Sequence, residues 1–330
     1  MTRLLIVRLG SLGDLVHALP AVAAIRRAHP AADIDWLVDA PHREFLSLVP
    51  VVTSLVTLEG RSAGAWLAAR RTLRLRRYDV ALDFQGLVKS AVLARMSGAA
   101  RVLGFDRAAL REPAAGLFYH DRIDVGDRGH VIDKNLRLAA AVGAQAAPIE
   151  FPIGAVDSAA AAEVHRRCPA GYAVINPGAA WPNKRWPPAR FGAIADVLRQ
   201  RFGLASVVLW GPDESHLAEA VVASSGGAAI AAPETSLRDL VAIARGARLI
   251  LSGDTGPLHI AVAVGVPAVA LFGPTDAGRN GPWHARDRSL SRYAVCPCQY
   301  ERRCRLPETQ WCLSSIAVDE VADAVVQRLS

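Results

Sequence analysis

Two acidic residues and a lysine stand where this chain could do chemistry. Gly253-Asp254-Thr255-Gly256-Pro257-Leu258-His259 breaks an apolar run and leads into an Ala/Val-rich helical pattern. Gly253 and Gly256 permit a tight turn, Pro257 suits a first helical turn, and the amides of residues 255–258 would converge on an anion at the positive end of a helix dipole. The same residues also describe an ordinary strand-to-helix turn capped by Asp254 or Thr255. Near the N-terminus, Gly10-Ser11-Leu12-Gly13-Asp14 follows an apolar run and opens a helical pattern. That spacing projects a carboxylate from a first helical turn, either as a general base or as a partner of the helix dipole. It is not the G-x-G-x-x-G of dinucleotide binding, and no acidic ribose ligand follows in context. Asn176-Pro177-Gly178-Ala179-Ala180-Trp181-Pro182-Asn183-Lys184-Arg185-Trp186-Pro187 is a Gly/Pro loop after a further apolar run. Lys184 and Arg185 could neutralise a diphosphate from the side opposite the Asp254 loop, with Trp181 and Trp186 as walls, or be a solvated cation pair, the commoner fate in a loop that does not follow a strand end. Gly211-Pro212-Asp213-Glu214 follows another run, so a carboxylate there could accept hydrogen bonds from ribose hydroxyls, or Asp213 could cap a helix.

These loops need strands to end at them and helices to begin after them. Apolar runs at Leu4–Val7, Ile34–Val38, Val80–Phe84, Ala173–Asn176, Ser206–Trp210, Leu249–Ser252 and Ala268–Phe272 alternate with helical patterns. Alternation of this kind predicts parallel sheets covered on both faces and joined by right-handed crossovers. The series starts twice, with Phe151-Pro152-Ile153-Gly154 between the two halves. Two Rossmann-like, doubly wound domains facing a cleft are therefore expected, over 1–154 and 155–330, with a closing helix over about 316–329 packing back on the first. A length of 330 residues supports two domains.

The chain is 52% hydrophobic and 21% charged, the composition of a folded globular protein. Its apolar runs are too short for a membrane span, and the first one ends too soon for a signal peptide, which implies a cytoplasmic protein. The net charge of +7 is concentrated in residues 1–154, with 20 Lys+Arg against 15 Asp+Glu. Arg61, Arg70, Arg71, Arg74, Arg76 and Arg77, interleaved with Trp66, Leu67, Leu73 and Leu75, predict a cationic amphipathic helix. Such a face suits an acidic partner or an anionic membrane surface, or is simply solvated. No recognition motif accompanies it, so nucleic acid is not expected. Cys296, Cys298, Cys304 and Cys312 form C-x-C-x5-C-x7-C, which is not a standard zinc spacing. A stable disulfide framework is not expected in a cytosolic chain either, and a local structural role is favoured over metal binding.

Taken together and in order, these segments resemble the ADP-heptose:lipopolysaccharide heptosyltransferases, a glycosyltransferase family of GT-B fold. The resemblance runs over essentially the whole chain. It rests on residues 10–14, on Asp83-Phe84-Gln85-Gly86-Leu87-Val88-Lys89-Ser90, on Asn176–Ala179 with Lys184–Pro187, on Ser252–His259, and on Phe272–Asp276 with Gly278. Within the family, residues 111–119 resemble the type I enzymes, which add the first heptose to Kdo of the lipopolysaccharide inner core. The cysteine cluster is similar to that of type II enzymes. The resemblance implies an inverting transfer from ADP-heptose to a hydroxyl of Kdo-lipid A at the inner-membrane surface, with no metal or other cofactor. Asp14 would be the base, and Lys184 with the Asp254 loop would stabilise the leaving diphosphate. Gly178, Lys184, Glu214 (ribose), Thr235, Ser236 and Leu237 (adenine edge), and Asp254, Thr255, Gly256, Pro257, Leu258 and His259 would hold the nucleotide sugar. Gly13, Arg61, Arg70, Arg71, Gln85 and Arg111 would meet the acceptor. A non-catalytic nucleotide-sugar sensor would keep the second set but would not need Asp14.

Overall fold

Runs such as Leu4–Val7 and Ala268–Phe272 lack the alternation of a half-exposed strand because both lie inside sheets covered on two faces. The computed structural model describes residues 2–330, and the chain forms two compact units, 1–154 and 155–330. In the first unit β1 (Arg3–Val7), β2 (Asp33–Asp39), β3 (Ser54–Leu58), β4 (Val80–Asp83), β5 (Arg101–Phe105) and β6 (Asp121–Ile123) form one parallel sheet. Its order is β3-β2-β1-β4-β5-β6. In the second, β7 (Tyr172–Asn176), β8 (Ala205–Val208), β9 (Ala229–Ala231), β10 (Ile250–Gly253), β11 (Ala268–Phe272) and β12 (Arg288–Ser291) are parallel in the order β12-β11-β10-β7-β8-β9. Counted from its own first strand, each sheet runs 3-2-1-4-5-6, the Rossmann order.

That order fixes where ligands can bind. The chain reverses direction across the sheet between β1 and β4 and again between β7 and β10, and the loops leaving these strand ends diverge to open a crevice. Val7 pairs in register with Asp83, and Asn176 with Ser252. The loops of residues 8–14 and 84–87 are thereby neighbours, as are those of residues 177–187 and 254–256.

Helix Leu12–Ala28 leaves the first crevice with Asp14 in its first turn and packs along helix Val131–Ala140. The expected cationic helix is Ala63–Arg76, capped by Ser62 Oγ, which accepts from the Ala65 amide at 3.2 Å. It buries only Ala69 and Leu73, and Leu67 and Leu75 remain exposed. One expectation is corrected in the second unit. Trp186 is a core residue, 1% exposed, set edge-on to Phe191 and donating its indole N–H to the Ile316 carbonyl at 3.1 Å. An aromatic ring beside a helix start can point to either face of the sheet, and here it points inward. The closing helix, Val318–Leu329, places Val321, Ala324 and Val325 in the core of its own unit.

Candidate active site

In the first unit, Asp14 is held on both sides. Its Oδ1 lies 2.6 Å from Arg8 Nη2, and its Oδ2 accepts from the Ser11 amide at 3.2 Å and the Ser11 hydroxyl at 3.0 Å. Arg8 is itself nearly buried; it donates to the Phe84 carbonyl, and its own carbonyl accepts from Trp36 Nε1 at 2.9 Å. An ion pair with a guanidinium fixed at the ends of two strands orients the carboxylate. Asp14 keeps about a third of its side chain exposed, 31%, so it is both positioned and reachable. Gly13 is buried beside it.

Gln85 ties the neighbouring loop to this one, its Oε1 accepting from the Leu9 amide at 2.8 Å. Beneath it Asp83, fully buried, accepts from the Gln85 amide, Ser90 Oγ and Tyr119 Oη, each at 2.8 Å. Burial pushes the Asp83 carboxyl up even though all these hydrogen bonds oppose it. Desolvation, then the carboxylate beside it, raises the Tyr119 phenol as well. The pair anchors the 111–119 segment to the end of β4, aided by Val88 N–H to Glu112 Oε2 at 2.8 Å. Arg111, Arg61 and Arg71 are exposed and Arg70 half-buried.

In the second unit, Asp254 is the centre. It is 7% exposed, and its Oδ2 accepts from Lys184 Nζ at 2.6 Å and Thr275 Oγ1 at 2.7 Å, while its Oδ1 meets His259 Nε2 at 3.0 Å. Burial alone would raise this carboxyl, but the His259 hydrogen bond and the Lys184 ammonium outweigh it and hold it well below the usual carboxylate range. Lys184 thus contacts the Asp254 loop directly rather than facing it from the opposite side. The approach requires a glycine, since a Cβ on Gly253 would lie 2.7 Å from the Lys184 carbonyl oxygen. Lys184 Nζ also rests 4.5 Å from the centre of the Trp181 ring. His259 is buried, one turn into helix Gly256–Ala263. Thr255 is the N-cap residue, Gly256 and Pro257 open the first turn half-exposed, and Leu258 faces the core. Asn176 Nδ2 donates to Ser252 Oγ and Thr255 Oγ1, both at 3.0 Å, locking β7 to the β10 loop.

Glu214 lies over the backbone of Gly178, where any Cβ would collide with its carboxylate, and pairs with Arg185 at 2.9 Å. Asp213 does not cap the next helix; it takes a left-handed φ of 63°, and Glu214 occupies the cap position. Ser236 caps helix Leu237–Gly246, its Oγ accepting from the Asp239 amide at 3.2 Å, with Thr235 and Leu237 half-exposed on either side. Sequence reasoning did not assign Arg8 or Thr275 a role at the site. Both follow a strand end at which a candidate loop begins, which is the signal they carried.

The first unit thus holds a carboxylate positioned by Arg8, and the second a strand-to-helix loop braced by Lys184. The model of glycosyltransferase family 9 (heptosyltransferase) matches residues 66–310. The chain belongs to this family. As a family 9 glycosyltransferase it is 32% identical to lipopolysaccharide heptosyltransferase 1 of Pseudomonas aeruginosa, over 90% of this chain and 86% of that protein. The enzyme of the same name from Escherichia coli K12 is 29% identical over 84% of this chain and 90% of its own length. A solved structure of E. coli heptosyltransferase WaaC with ADP-2-deoxy-2-fluoro heptose superposes with a TM-score of 0.77 at 26% identity, covering 99% of both chains. Among the described residues, no group of three or more His, Cys, Asp or Glu is arranged to hold a metal ion, and no helix is long and apolar enough to cross a membrane.

Proposed function

We propose that this glycosyltransferase moves heptose from ADP-heptose to Kdo of the lipopolysaccharide inner core, with inversion and without a metal. The observation that carries the reading is the pair of switch-point sites, Asp14 braced by Arg8 and Asp254 braced by Lys184, in a chain one-third identical to a lipopolysaccharide heptosyltransferase 1. An acceptor hydroxyl attacks the anomeric carbon from the face opposite the diphosphate, and its proton passes to the Asp14 carboxylate. The bond to the diphosphate oxygen breaks, and ADP leaves. Lys184 offers two of its three ammonium protons to Asp254; the third, with the amides at the start of helix Gly256–Ala263, stabilises the charge growing on the diphosphate. Glu214, held by Arg185, receives the ribose, and the Thr235–Leu237 turn borders the adenine.

The decisive assay incubates the purified protein with ADP-heptose and, separately, Kdo-lipid A and its singly heptosylated form, and weighs the products. A heptose added to Kdo-lipid A alone is expected, undiminished by EDTA. Addition only to the heptosylated form would assign the chain to the type II reaction, and activity that EDTA abolishes and a divalent ion restores would refute metal independence.

The acceptor is a lipid, and the protein is expected to work on the cytoplasmic face of the inner membrane by transient contact through helix Ala63–Arg76. Its exposed Leu67 and Leu75 lie among Arg70, Arg71 and Arg74. Each basic residue at an anionic surface is worth about 1 kcal/mol, so Arg70→Ala/Arg71→Ala should lower partitioning onto anionic vesicles roughly 30-fold at low salt. Vesicle sedimentation reads this directly, and binding that is unchanged by the substitutions would remove the helix as the contact.

A further inference from the structure

The segment 293–316 holds four of the five cysteines, and its sulfurs meet in pairs. Cys296 Sγ lies 3.2 Å from Cys312 Sγ, and Cys298 Sγ lies 3.3 Å from Cys304 Sγ. In each pair one residue is buried, Cys296 or Cys298, and the other is partly exposed, Cys312 or Cys304. The segment is fastened to the donor site. Asn183, next to Lys184, donates to the Glu301 carbonyl at 3.0 Å, and the Tyr300 amide donates to the Pro274 carbonyl at 2.8 Å. A Cβ on Gly273 would lie 3.0 Å from Cys312 Sγ. The cysteines therefore underlie both loops whose side chains, Lys184 and Thr275, hold the Asp254 carboxylate.

We propose that Cys296 with Cys312 and Cys298 with Cys304 are two dithiols that oxidise reversibly to disulfides, a covalent clamp beneath the Lys184 and Thr275 loops. A disulfide needs about 2.05 Å between sulfurs, so each pair must close by only about 1 Å. The oxidant is a hydroperoxide. The thiolate of the partly exposed cysteine takes the terminal oxygen of hydrogen peroxide, becoming a sulfenic acid as water forms. The sulfur of its buried partner then displaces that oxygen as a second water. For each pair, two thiols and one peroxide give one disulfide and two waters, the sulfurs losing the two electrons that the peroxide gains. Burial, then the hydrogen bond with Cys296, pushes the Cys312 thiol up to about 12, and burial raises that of Cys304 too. Few thiolates exist at neutral pH, so the dithiols persist until oxidant accumulates. The Cys296–Cys312 bond closes a loop that contains the smaller Cys298–Cys304 ring, and the nested closure restricts the unfolded chain.

This proposal is independent of the sugar-transfer reading, because its readouts are masses and melting temperatures. The reduced protein is desalted, exposed to hydrogen peroxide, denatured, alkylated and weighed. Four thiols are expected to escape alkylation, with the loss of two hydrogens per pair, while Cys168 is still alkylated; dithiothreitol should reverse the change. Digestion should recover the 296–312 and 298–304 links. Cys304→Ser should retain the first link alone and Cys312→Ser the second alone. Oxidised wild type should melt roughly 5–10 °C higher than reduced. Sulfinic acids in place of disulfides, other pairings, or thiols that remain fully alkylatable would overturn the proposal. So would one equivalent of zinc or iron in the purified protein that shields the four thiols until it is chelated.

Discussion

Asp14→Asn is expected to cut transfer by roughly 10²- to 10⁴-fold, or ~3–5 kcal/mol of barrier, the range that general-base catalysis supplies. Asn keeps one side-chain oxygen to accept from Arg8, but it turns an NH2 group toward Ser11 and cannot take the acceptor's proton. The choice of Asn over Ala matters because Arg8 is nearly buried and bonded to the Phe84 carbonyl. Either substitution removes the guanidinium's counter-charge, but Asp14→Ala would also leave it without an acceptor there, and a poorly solvated donor left unpaired destabilises on its own. ADP binding should be unchanged in the Asn variant, since every residue proposed for ADP belongs to unit 155–330. Turnover is read from ADP release and ADP affinity by calorimetry. Near-normal turnover in Asp14→Asn would remove the residue as base.

Arg8 sets a second expectation of the same geometry. The guanidinium lies 2.6 Å from the carboxylate that is to accept a proton and fixes its direction. The acceptor hydroxyl is expected to lose its proton as it bonds to the anomeric carbon, not before.

What could be read in the sequence was whatever both faces of a sheet or the end of a strand determine. The central strands β1, β4, β7, β10 and β11 announced themselves as unbroken apolar runs because helices cover both their sides. The edge strands β3, β6, β9 and β12 did not. Asp121–Ile123 and Ala229–Ala231 are three residues long, and Arg288–Ser291 is mostly exposed, so neither length nor hydropathy marks them. β5 was hidden differently. Gly104 interrupts its pattern because the Tyr119 ring lies where a Cβ would be. Loops at strand ends were legible, and with them Asp14, Lys184 and Asp254, but their partners were not. Lys184 and Asp254 are 70 residues apart and Thr275 a further 21. They meet only because β7, β10 and β11 are adjacent in register, which no local pattern encodes. Trp186 failed for the converse reason, since its neighbours Arg185 and Pro187 say nothing about the direction of its ring.

Lys184→Ala is expected to act twice, and the two effects are separable. It leaves the Asp254 carboxylate, 7% exposed, with Thr275 and His259 but without its cation, and removing one partner of a buried pair typically costs ~3–5 kcal/mol. It also removes the proton donor proposed for the diphosphate, so ADP affinity and transfer should both fall. Adding Asp254→Asn to Lys184→Ala withdraws the unpaired charge, so the double variant should recover much of the stability in urea titration while ADP affinity stays low. Recovery of ADP affinity in the double variant would reduce Lys184 to a neutraliser of Asp254 and overturn its role toward the leaving group. Acid supplies an independent check. The Asp254 carboxyl is held below its ordinary value of 3.8, so its contribution to folding is complete above that value and is lost as pH falls through the lower folded one. The wild type should therefore lose this contribution only as pH falls below about 4, whereas Asp254 of Lys184→Ala, without the ammonium, should protonate at a higher pH than in the wild type, so that the stability gap between the two narrows as pH falls. A gap that closes at neutral pH would mean that the 2.6 Å ion pair is not what holds the Asp254 loop in place.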